Sequence, residues 1–197
     1  EVATRNGFPH WAAAGRVLRG WGLASQGQPA QGIAEIHTGL IGCRATGVEM
    51  DRPYYLALLA EALCWDARPR DALSVLDEAL EMIRNKRTFF YESELERLSG
   101  SVLMEADRNR IEDVENNFRR ALEVARGQRA LCLELRAAVS LARLWQDQGK
   151  HQEARQLVAE VYGRFTEGFG AADLVRANAI LDETGKEPKT RRADAGQ

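Results

Sequence analysis

Residues 142–162 read ARLWQDQGKHQEARQLVAEVY, and their spacing predicts two helices joined by a short turn. Gly149 separates the two halves, and glycine readily adopts the left-handed backbone that ends many helices. After it, one small and three larger apolar residues follow at offsets of 0, 4, 7 and 8: Ala154, Val158, Val161 and Tyr162. These offsets place the four side chains on one stripe of an α-helix. The stretch therefore predicts a helix hairpin with one apolar side.

The same offsets occur three more times along the chain. The earlier segments are Gly32, Ile36, Gly39 and Leu40, then Ala72, Leu76, Ala79 and Leu80, then Val114, Phe118, Ala121 and Leu122. Successive segments start 40, 42 and 40 residues apart. Twelve residues before each start lies a second set of matching positions: Gly20, Ala60, Val102 and Ala142. The chain is therefore predicted to contain four helix hairpins, which must stack to bury a continuous core.

Each repeat is predicted to have a first helix, A, a tight turn and a second helix, B. Gly27, Asn109 and Gly149 occupy the turn in three repeats, where Gly or Asn is suited to a left-handed helix end. The second repeat has Ala67 there instead, followed by Pro69, which can open helix B at its first turn. The predicted helices are 10–26, 29–46, 52–67, 69–86, 90–107, 110–127, 129–148, 151–166 and 171–184.

The predicted fold class is all-α, a right-handed superhelical stack of helix hairpins with about nine helices. No stretch sustains the alternation that would indicate a strand. The repeats are expected at about 10–46, 52–86, 90–127 and 129–166, and helix 171–184 is expected to cap the open end of the stack. We expect a single helical-repeat domain over 1–185, followed by a polar tail, 186–197, that is predicted to be disordered.

The order of residues after each turn resembles the tetratricopeptide repeat (TPR). A small residue, a large apolar residue and then Ala follow a Gly turn, and the best match is Gly149-(x4)-Ala154-(x3)-Val158. The period is longer than the usual one of about 34 residues, so helices or joints must be extended. TPR arrays with such long periods are familiar in bacterial regulators.

A more specific resemblance runs along nearly the whole chain. The motifs that carry it are Pro9-His10-Trp11, Gly20-Trp21, YLALLAEA at 55–62, ELERL at 94–98, FRRAL at 118–122, ELRAA at 134–138, SLARL at 140–144, FTEGF at 165–169, Asp173-Leu174 and Ala177. They resemble the C-terminal helical repeats of large bacterial signalling proteins that carry a class III nucleotide cyclase domain and a STAND-type ATPase domain. Related arrays end some bacterial transcriptional activators. The resemblance implies a sensory or regulatory arm of a longer chain. The cyclase and ATPase motifs do not occur in this sequence, so neither activity is carried over to it.

The sequence offers no catalytic or metal-binding motif. It has neither a phosphate-binding loop ending in Lys-Ser/Thr nor GxGxxG between a strand and a helix. Ser140 lies mid-helix without a histidine nearby, which does not indicate a nucleophile triad. His10, His37 and His151 are far apart, and none has a second ligand at i+3 or i+4. We therefore expect no enzyme activity, no metal and no cofactor, with His37 partly buried and His151 in solvent.

Charge and cysteine content favour a soluble cytoplasmic protein that binds neither nucleic acid nor a membrane. The formal net charge is only -2, and the apolar stretches are about half the length of a membrane span. A cluster of arginines is interleaved with acidic residues, which is typical of a solvated face: Arg119, Arg120, Arg126 and Arg129 with Glu115, Glu123 and Glu134. Three cysteines, without a CxxC, are predicted to be small buried hydrophobes: Cys43, Cys64 and Cys132. No basic-then-apolar leader opens the sequence, and its first residue, Glu1, suggests an excised fragment or a processed product.

The A helices are expected to line a concave groove in which a partner binds. Counting from the repeat register places seven residues near it: Trp21, Tyr54, Glu61, Trp65, Glu96, Arg136 and Arg143. Aromatic residues and arginine dominate the energetics of interfaces. Alternatively, Trp21 and Trp65 fill gaps between successive repeats, a role that large aromatics serve equally well. Trp145 shares the register of Leu23 and Leu63 and is predicted to belong to the core.

Three hypotheses about function remain open from the sequence. The leading one is a non-catalytic module that binds a protein segment, either from its own chain or from a separate regulator. The second is a sensor that binds a small molecule or a short peptide signal in a closed pocket among Trp21, Tyr54 and Trp65. The third is a homodimerisation platform.

Overall fold

A computed structural model of the protein describes residues 7–86 and 91–183. Within these ranges the chain forms nine α-helices and no strand, which confirms the predicted all-α class. The helices are α1 (Pro9–Ser25), α2 (Pro29–Ala45), α3 (Arg52–Trp65), α4 (Pro69–Lys86), α5 (Glu92–Ala106), α6 (Ile111–Gln128), α7 (Leu131–Asp147), α8 (His151–Tyr162) and α9 (Ala172–Glu183). The tail predicted to be disordered, 186–197, lies outside the described residues.

The eighth helix is shorter than predicted. It was expected over 151–166 but ends at Tyr162. Beyond that residue, the backbone N–H groups of Arg164 and Phe165 donate to carbonyls three residues earlier, at 3.2 and 3.0 Å. Hydrogen bonds between residues three apart belong to a tighter turn than the α-helix, so the regular α-helical hydrogen bonding stops here. The apolar pattern of the sequence continues through this turn, and the helix length predicted from that pattern was therefore too great.

The predicted repeat register forms the buried core of the helices. All four close-contact positions of the A helices are buried, and so are fifteen of the sixteen stripe positions of the B helices; Tyr162 is half-buried. One larger side chain per repeat is almost fully buried: Ile36, Leu76, Phe118 and Val158. Burying a side chain of this size stabilises a fold by about 1.5–3 kcal/mol. The same position therefore anchors each hairpin.

The chain forms two compact units, 1–124 and 125–197. In the first unit α1 packs on α2 and α3 on α4, while α3 also contacts α1 and α2, and α5 contacts α4. In the second unit α7 packs on α8, and α9 packs against both. Trp145 of α7 is half-buried rather than fully in the core.

Glycines bring the backbones of α1 and α2 close together. A Cβ atom on Gly20 would lie 2.6 Å from the carbonyl oxygen of Gly32, and one on Gly39 would lie 2.8 Å from that of Ala13. Real Cβ atoms do not approach a backbone oxygen so closely. The small residues at these register positions therefore permit the close contact that the sequence predicted.

The turn residues behave as predicted in two repeats, at Gly27 and Gly149; Ala67, for which no left-handed conformation was predicted, adopts one as well, and the third repeat differs. Gly27, Ala67 and Gly149 have positive φ values of 86°, 57° and 79°. Asn109 was expected to do the same, but it is not among the residues with positive φ. Instead, α5 is followed by Asp107 in an extended conformation, and its Oδ1 accepts the N–H of Asn109 at 3.0 Å. This aspartate turn satisfies the backbone without a left-handed residue.

Replacing Ala67 by glycine is expected to stabilise the protein by about 0.5–1 kcal/mol. A left-handed conformation costs an L-residue roughly 1–2 kcal/mol, and the extra freedom of glycine in the unfolded chain offsets part of the gain. Urea unfolding of the variant and its parent measures the difference. Gly149→Ala is the matched control, because it installs the same strain at the equivalent turn and should destabilise by a similar amount. An unchanged unfolding midpoint for Ala67→Gly would contradict the prediction.

Candidate functional site

Three of the predicted groove residues meet at the ends of two A helices. Trp21 lies four residues before the end of α1, and Glu61 and Trp65 lie in the last turns of α3. The Nε1–H of Trp21 donates to Oε2 of Glu61 at 2.8 Å. The two indole rings are 5.9 Å apart between centroids and tilted by 51°. We call these three residues the tryptophan patch.

Repeat geometry explains why the tryptophan patch forms. Trp21 and Glu61 follow directly after the close-contact positions Gly20 and Ala60, so they occupy equivalent places in successive A helices. Trp65 comes four residues after Glu61 and therefore shares its helix face. Trp21 and Glu61 are half-buried, whereas Trp65 remains 45% exposed. Filling a gap between repeats thus describes Trp21 better than Trp65, whose indole still offers a surface.

No basic side chain lies in the last turns of the helices that end near the tryptophan patch. In α1, α3 and α5, no side chain of these turns therefore offsets the partial negative charge of the helix ends. Next to Trp65, burial raises the pKa of the Cys64 thiol to about 12, and the charges of Glu105 and Glu61 add to the effect. A raised thiol pKa means that the surroundings disfavour negative charge on sulfur. This thiol is therefore not activated as a nucleophile.

Tyr54 lies apart from the tryptophan patch. It belongs to the first turn of α3, where its ring meets Tyr91 edge-on at a centroid distance of 4.9 Å. Eleven residues separate it from Trp65, which is about 16 Å along a helix. The closed pocket expected among Trp21, Tyr54 and Trp65 is therefore not formed by these three residues.

Glu96, another predicted groove residue, is only 6% exposed. Its Oε1 is 3.8 Å from Nη2 of Arg84. Burial raises the pKa of its carboxyl group, while the guanidinium groups of Arg84 and Arg120 act in the opposite direction. Little of this side chain is left for a partner to contact.

The two predicted arginines belong to the second unit and differ in their surroundings. Nε of Arg136 lies 3.5 Å from Oδ2 of Asp173, which ties α7 to α9. Arg143 is exposed and has no ion pair among the described residues. Reversing the charge of Arg136 would disturb this tie, so Arg143→Glu is the cleaner variant for a binding experiment.

Sequence reasoning missed a groove on the B-helix side of the first unit. It has a volume of about 260 Å³ and lies between α2, α3 and α4. Leu40, Ile41, Leu56, Leu59 and Val75 line it, with His37, Arg44, Arg52 and Glu78 at its polar parts. The signal was Ile41, a large apolar residue off the core stripe, which is exposed.

Two predictions about individual side chains are wrong. His37 was expected to be partly buried and is exposed, because it follows Ile36 on the outward side of α2. Cys132 was expected to be buried and is exposed in the first turn of α7, whereas Cys43 is buried and Cys64 half-buried. His151 is exposed, as predicted.

The described residues contain no group of three or more His, Cys, Asp or Glu side chains that could hold a metal ion. A search of the same ranges finds no helix with the length and apolar character needed to cross a membrane.

The chain is similar in fold to TPR-like repeat proteins. No protein-family model and no curated protein sequence matches it. Among solved structures, it resembles the nearly identical TPR-like repeats of a candidate kinesin light chain from Podosopora anserina, with a TM-score of 0.65 and 12% identity over 89% of this chain and 85% of that one. A sequence variant of those repeats matches with a TM-score of 0.62 and 13% identity, over 93% and 86% of the two chains. The likeness shows an all-α solenoid of TPR-like hairpins.

Proposed function

We propose that this chain is a non-catalytic interaction module that binds a segment of polypeptide along its A helices. The observation that carries the proposal is the exposed indole of Trp65, packed against Trp21 beside the anchored carboxylate of Glu61. Tryptophan is enriched among the residues that contribute most to binding. A fixed hydrogen-bond acceptor next to it supplies direction as well as apolar area. The TPR-like fold supports the same conclusion.

The proposed site in the first unit has two contact points. The tryptophan patch is the principal one, and Tyr54 is the second, about 16 Å away along α3. An extended peptide advances about 3.3 Å per residue, so roughly five residues would join the two points. Arg143, with Arg136 behind it, is proposed as a separate contact in the second unit.

We further propose a regulatory role in a bacterial cytoplasmic signalling protein. This rests on the sequence resemblance to the repeats that follow cyclase and ATPase domains, and on the TPR-like fold. The bound segment would then come from the same longer chain or from a separate regulator. Identifying the gene and its flanking domains tests this role: a coding sequence that encodes no signalling domain, with no regulator nearby, would argue against it.

Trp65→Ala is expected to weaken the binding of peptides selected by display against the parent protein. The loss should be about tenfold or more, because truncating a central aromatic contact costs on the order of 2 kcal/mol. Fluorescence anisotropy with labelled peptides measures the affinity. Trp11→Ala is the matched control, since Trp11 is 65% exposed on the first turn of α1, away from the tryptophan patch.

Equal affinity of the parent and Trp65→Ala, in folded protein, would contradict the proposed site. Light scattering on the same samples tests the homodimerisation hypothesis. A protein that is monomeric at tens of micromolar would rule this hypothesis out. A displayed library that yields no binder would leave the small-molecule sensor as the better hypothesis.

A further inference from the structure

The groove between α2, α3 and α4 is built from one stripe of each helix. Its residues stand at offsets of 0, 3, 4 and 7 along α2, of 0, 4 and 7 along α3, and of 0 and 3 along α4, so each set shares one helix face. They are His37, Leu40, Ile41 and Arg44, then Arg52, Leu56 and Leu59, then Val75 and Glu78. We call this feature the Arg44 groove. The three leucines that line it are buried, whereas Ile41 is 72% exposed.

Ile41 is unusual for its place in the repeat. The equivalent positions, nine residues after the start of each B-helix stripe, hold Glu81, Glu123 and Gly163. All four positions are exposed. The fold therefore requires no apolar side chain there, and an exposed isoleucine that continues an apolar groove is typical of a binding surface.

Arg44 repeats an arginine that is paired in the next two repeats. The residue twelve positions after the start of the stripe is Arg44, Arg84 or Arg126 in the first three repeats. Nη2 of Arg84 lies 3.8 Å from Oε1 of Glu96, and Nε of Arg126 lies 3.0 Å from Oε1 of Glu134. Both carboxylates belong to the A helix that follows, α5 or α7. In the second and third repeats, this arginine therefore connects one repeat to the next.

The corresponding carboxylate is missing from α3. Glu96 and Glu134 stand six and eight residues before the close-contact positions of their helices, and α3 has Tyr54 and Arg52 at these two places. The first turn of α3 holds no acidic residue. Arg44 is exposed and has no ion pair within residues 7–86 and 91–183. The repeated ion pair is thus not formed between the first repeat and the second.

The charge of the Arg44 groove suits a carboxylate. Arg52 already has a partner, because its Nη2 lies 2.8 Å from Oε1 of Glu78. Among the described residues that line the groove, Arg44 is therefore the arginine left for a binding partner. A lysine would be repelled, and a purely apolar segment would remove water from the guanidinium without compensation. A carboxylate can instead accept two parallel N–H bonds from it.

The size and lining of the groove favour a polypeptide over other ligands. Its volume of about 260 Å³ lies below the roughly 300–1,000 Å³ of small-molecule sites. None of the described lining residues is Phe, Tyr or Trp, so nucleic-acid bases have no aromatic ring on which to stack. A single large apolar side chain can enter such a groove while the rest of its segment stays outside.

We propose that the Arg44 groove binds a second polypeptide segment, which places a leucine or phenylalanine against Leu40, Ile41 and Leu59 and a neighbouring aspartate or glutamate on Arg44. No residue of the tryptophan patch lines this groove. The inference goes beyond the proposed function, because the first unit would then bind one segment along its A helices and another on its B-helix side.

The first experiment uses the smallest compound that carries both features. Nα-acetyl-leucine, with an ionised carboxylate at neutral pH, is titrated into the whole protein while NMR follows the δ1-methyl resonances of its isoleucines. We expect a shift at Ile41 but not at Ile111, which is 37% exposed at the start of α6. Nα-acetyl-leucinamide has the same side chain without the charge and should bind at least about fivefold more weakly. Equal shifts at Ile41 with both compounds, or an equal shift at Ile111, would overturn the proposal.

The second experiment uses displayed peptides of twelve residues, selected on the parent protein and counter-selected on Ile41→Glu. This variant gives the first repeat the residue that the second and third repeats have. We expect the selected peptides to share a leucine or phenylalanine beside an acidic residue. Replacing that acidic residue by its amide should lower the affinity about tenfold, and added salt should reduce the difference. A selection that yields no binder, or only peptides without an acidic residue, would contradict the proposal.

Charge reversal at Arg44 tests the ion pair itself. Arg44→Glu should weaken the binding of the selected peptides about tenfold or more, because it replaces attraction by repulsion. Peptides whose acidic residue is replaced by lysine should bind this variant more tightly than they bind the parent. Arg155→Glu, the same change at an exposed position of α8, is the matched control and should leave the affinity unchanged. An equal loss in the two variants would show an effect of net charge alone and exclude the contact at Arg44.

Trp65→Ala distinguishes this surface from the tryptophan patch. The variant should bind the counter-selected peptides with the affinity of the parent, whatever the outcome at the tryptophan patch. A loss of affinity in Trp65→Ala as large as that in Arg44→Glu would show that both residues belong to one site, and the second surface would be refuted. Retained affinity would leave the Arg44 groove standing even if the binding proposed at the tryptophan patch fails.

Discussion

Replacing Gly20 by alanine is expected to destabilise the protein by about 2–3 kcal/mol, because overpacking of a tight contact carries a cost of this order. The new Cβ atom would lie 2.6 Å from the carbonyl oxygen of Gly32 and 2.9 Å from the backbone nitrogen of Ile36. Backbone atoms cannot rotate out of the way as the end of a side chain can. Helices α1 and α2 must therefore move apart, and the loss should appear in urea unfolding and in faster amide exchange across both helices.

Gly22→Ala is the matched control for this prediction. Gly22 lies two residues further along α1, and a Cβ atom there would meet nothing within 4 Å. Alanine is a better helix former than glycine by roughly 1 kcal/mol, so this variant should be more stable than its parent. The same substitution thus has opposite signs at two positions of one helix. A similar loss of stability in Gly20→Ala and Gly22→Ala would contradict the prediction, because it would show that the close packing at Gly20 has no effect of its own.

The packing at Gly20 also matters for the proposed site. Trp21 is the next residue, and its hydrogen bond and ring contact span α1 and α3. A shift of α1 by the width of a methyl group would move the indole relative to Glu61. We therefore regard the glycine contact as part of what positions the tryptophan patch, although Gly20 itself touches no partner.

The sequence predicted the hairpins because their burial pattern is local. Each B-helix stripe recurs at fixed offsets, and side chains at those offsets must lie on one helix face. The turn at Asn109 was not predictable in this way, since the side chain of Asp107 competes for the same backbone N–H. Nor was the exposure of Cys132, which depends on what covers the first turn of α7.

The site could be predicted only in part. Counting from the register located Trp21, Glu61 and Trp65 on neighbouring A helices, and they meet there. Counting could not show that Glu96 is buried. A carboxylate in a helix is ordinarily placed in solvent, whereas Glu96 is buried, and the guanidinium groups of Arg84 and Arg120 counteract only part of the rise that burial causes in its carboxyl pKa.

The burial of Glu134, in the second unit, could not be predicted from the sequence either. The mixture of arginines and glutamates around it predicted a solvated face, but its side chain is only 1% exposed. Two arginines hold its carboxylate: Nε of Arg126 is 3.0 Å from Oε1, and Nη1 of Arg164 is 2.6 Å from Oε2. The three residues come from the end of α6, the first turn of α7 and the turn after α8. This ion-pair network therefore connects three consecutive segments of the second unit.

Replacing both Arg126 and Arg164 by alanine is expected to destabilise the protein by about 3–5 kcal/mol. The double variant leaves a buried carboxylate without either of its partners, and an uncompensated buried charge has a cost of this order. Adding Glu134→Gln to the double variant should recover a large part of the loss, because it removes the charge and keeps the shape. Arg119→Ala, which breaks an exposed pair with Glu115, should change the stability by less than about 0.5 kcal/mol.

Urea unfolding of these variants beside the parent at neutral pH separates the possible causes. If the triple variant is no more stable than the double variant, the loss comes from the packing of the arginine side chains rather than from the charge of Glu134. If the double variant loses no more stability than Arg119→Ala does, the network contributes no more to stability than an ordinary surface ion pair. Recovery in the triple variant would show that burial of Glu134 depends on its arginines, and that the second unit is held together by charge as well as by its apolar stripe.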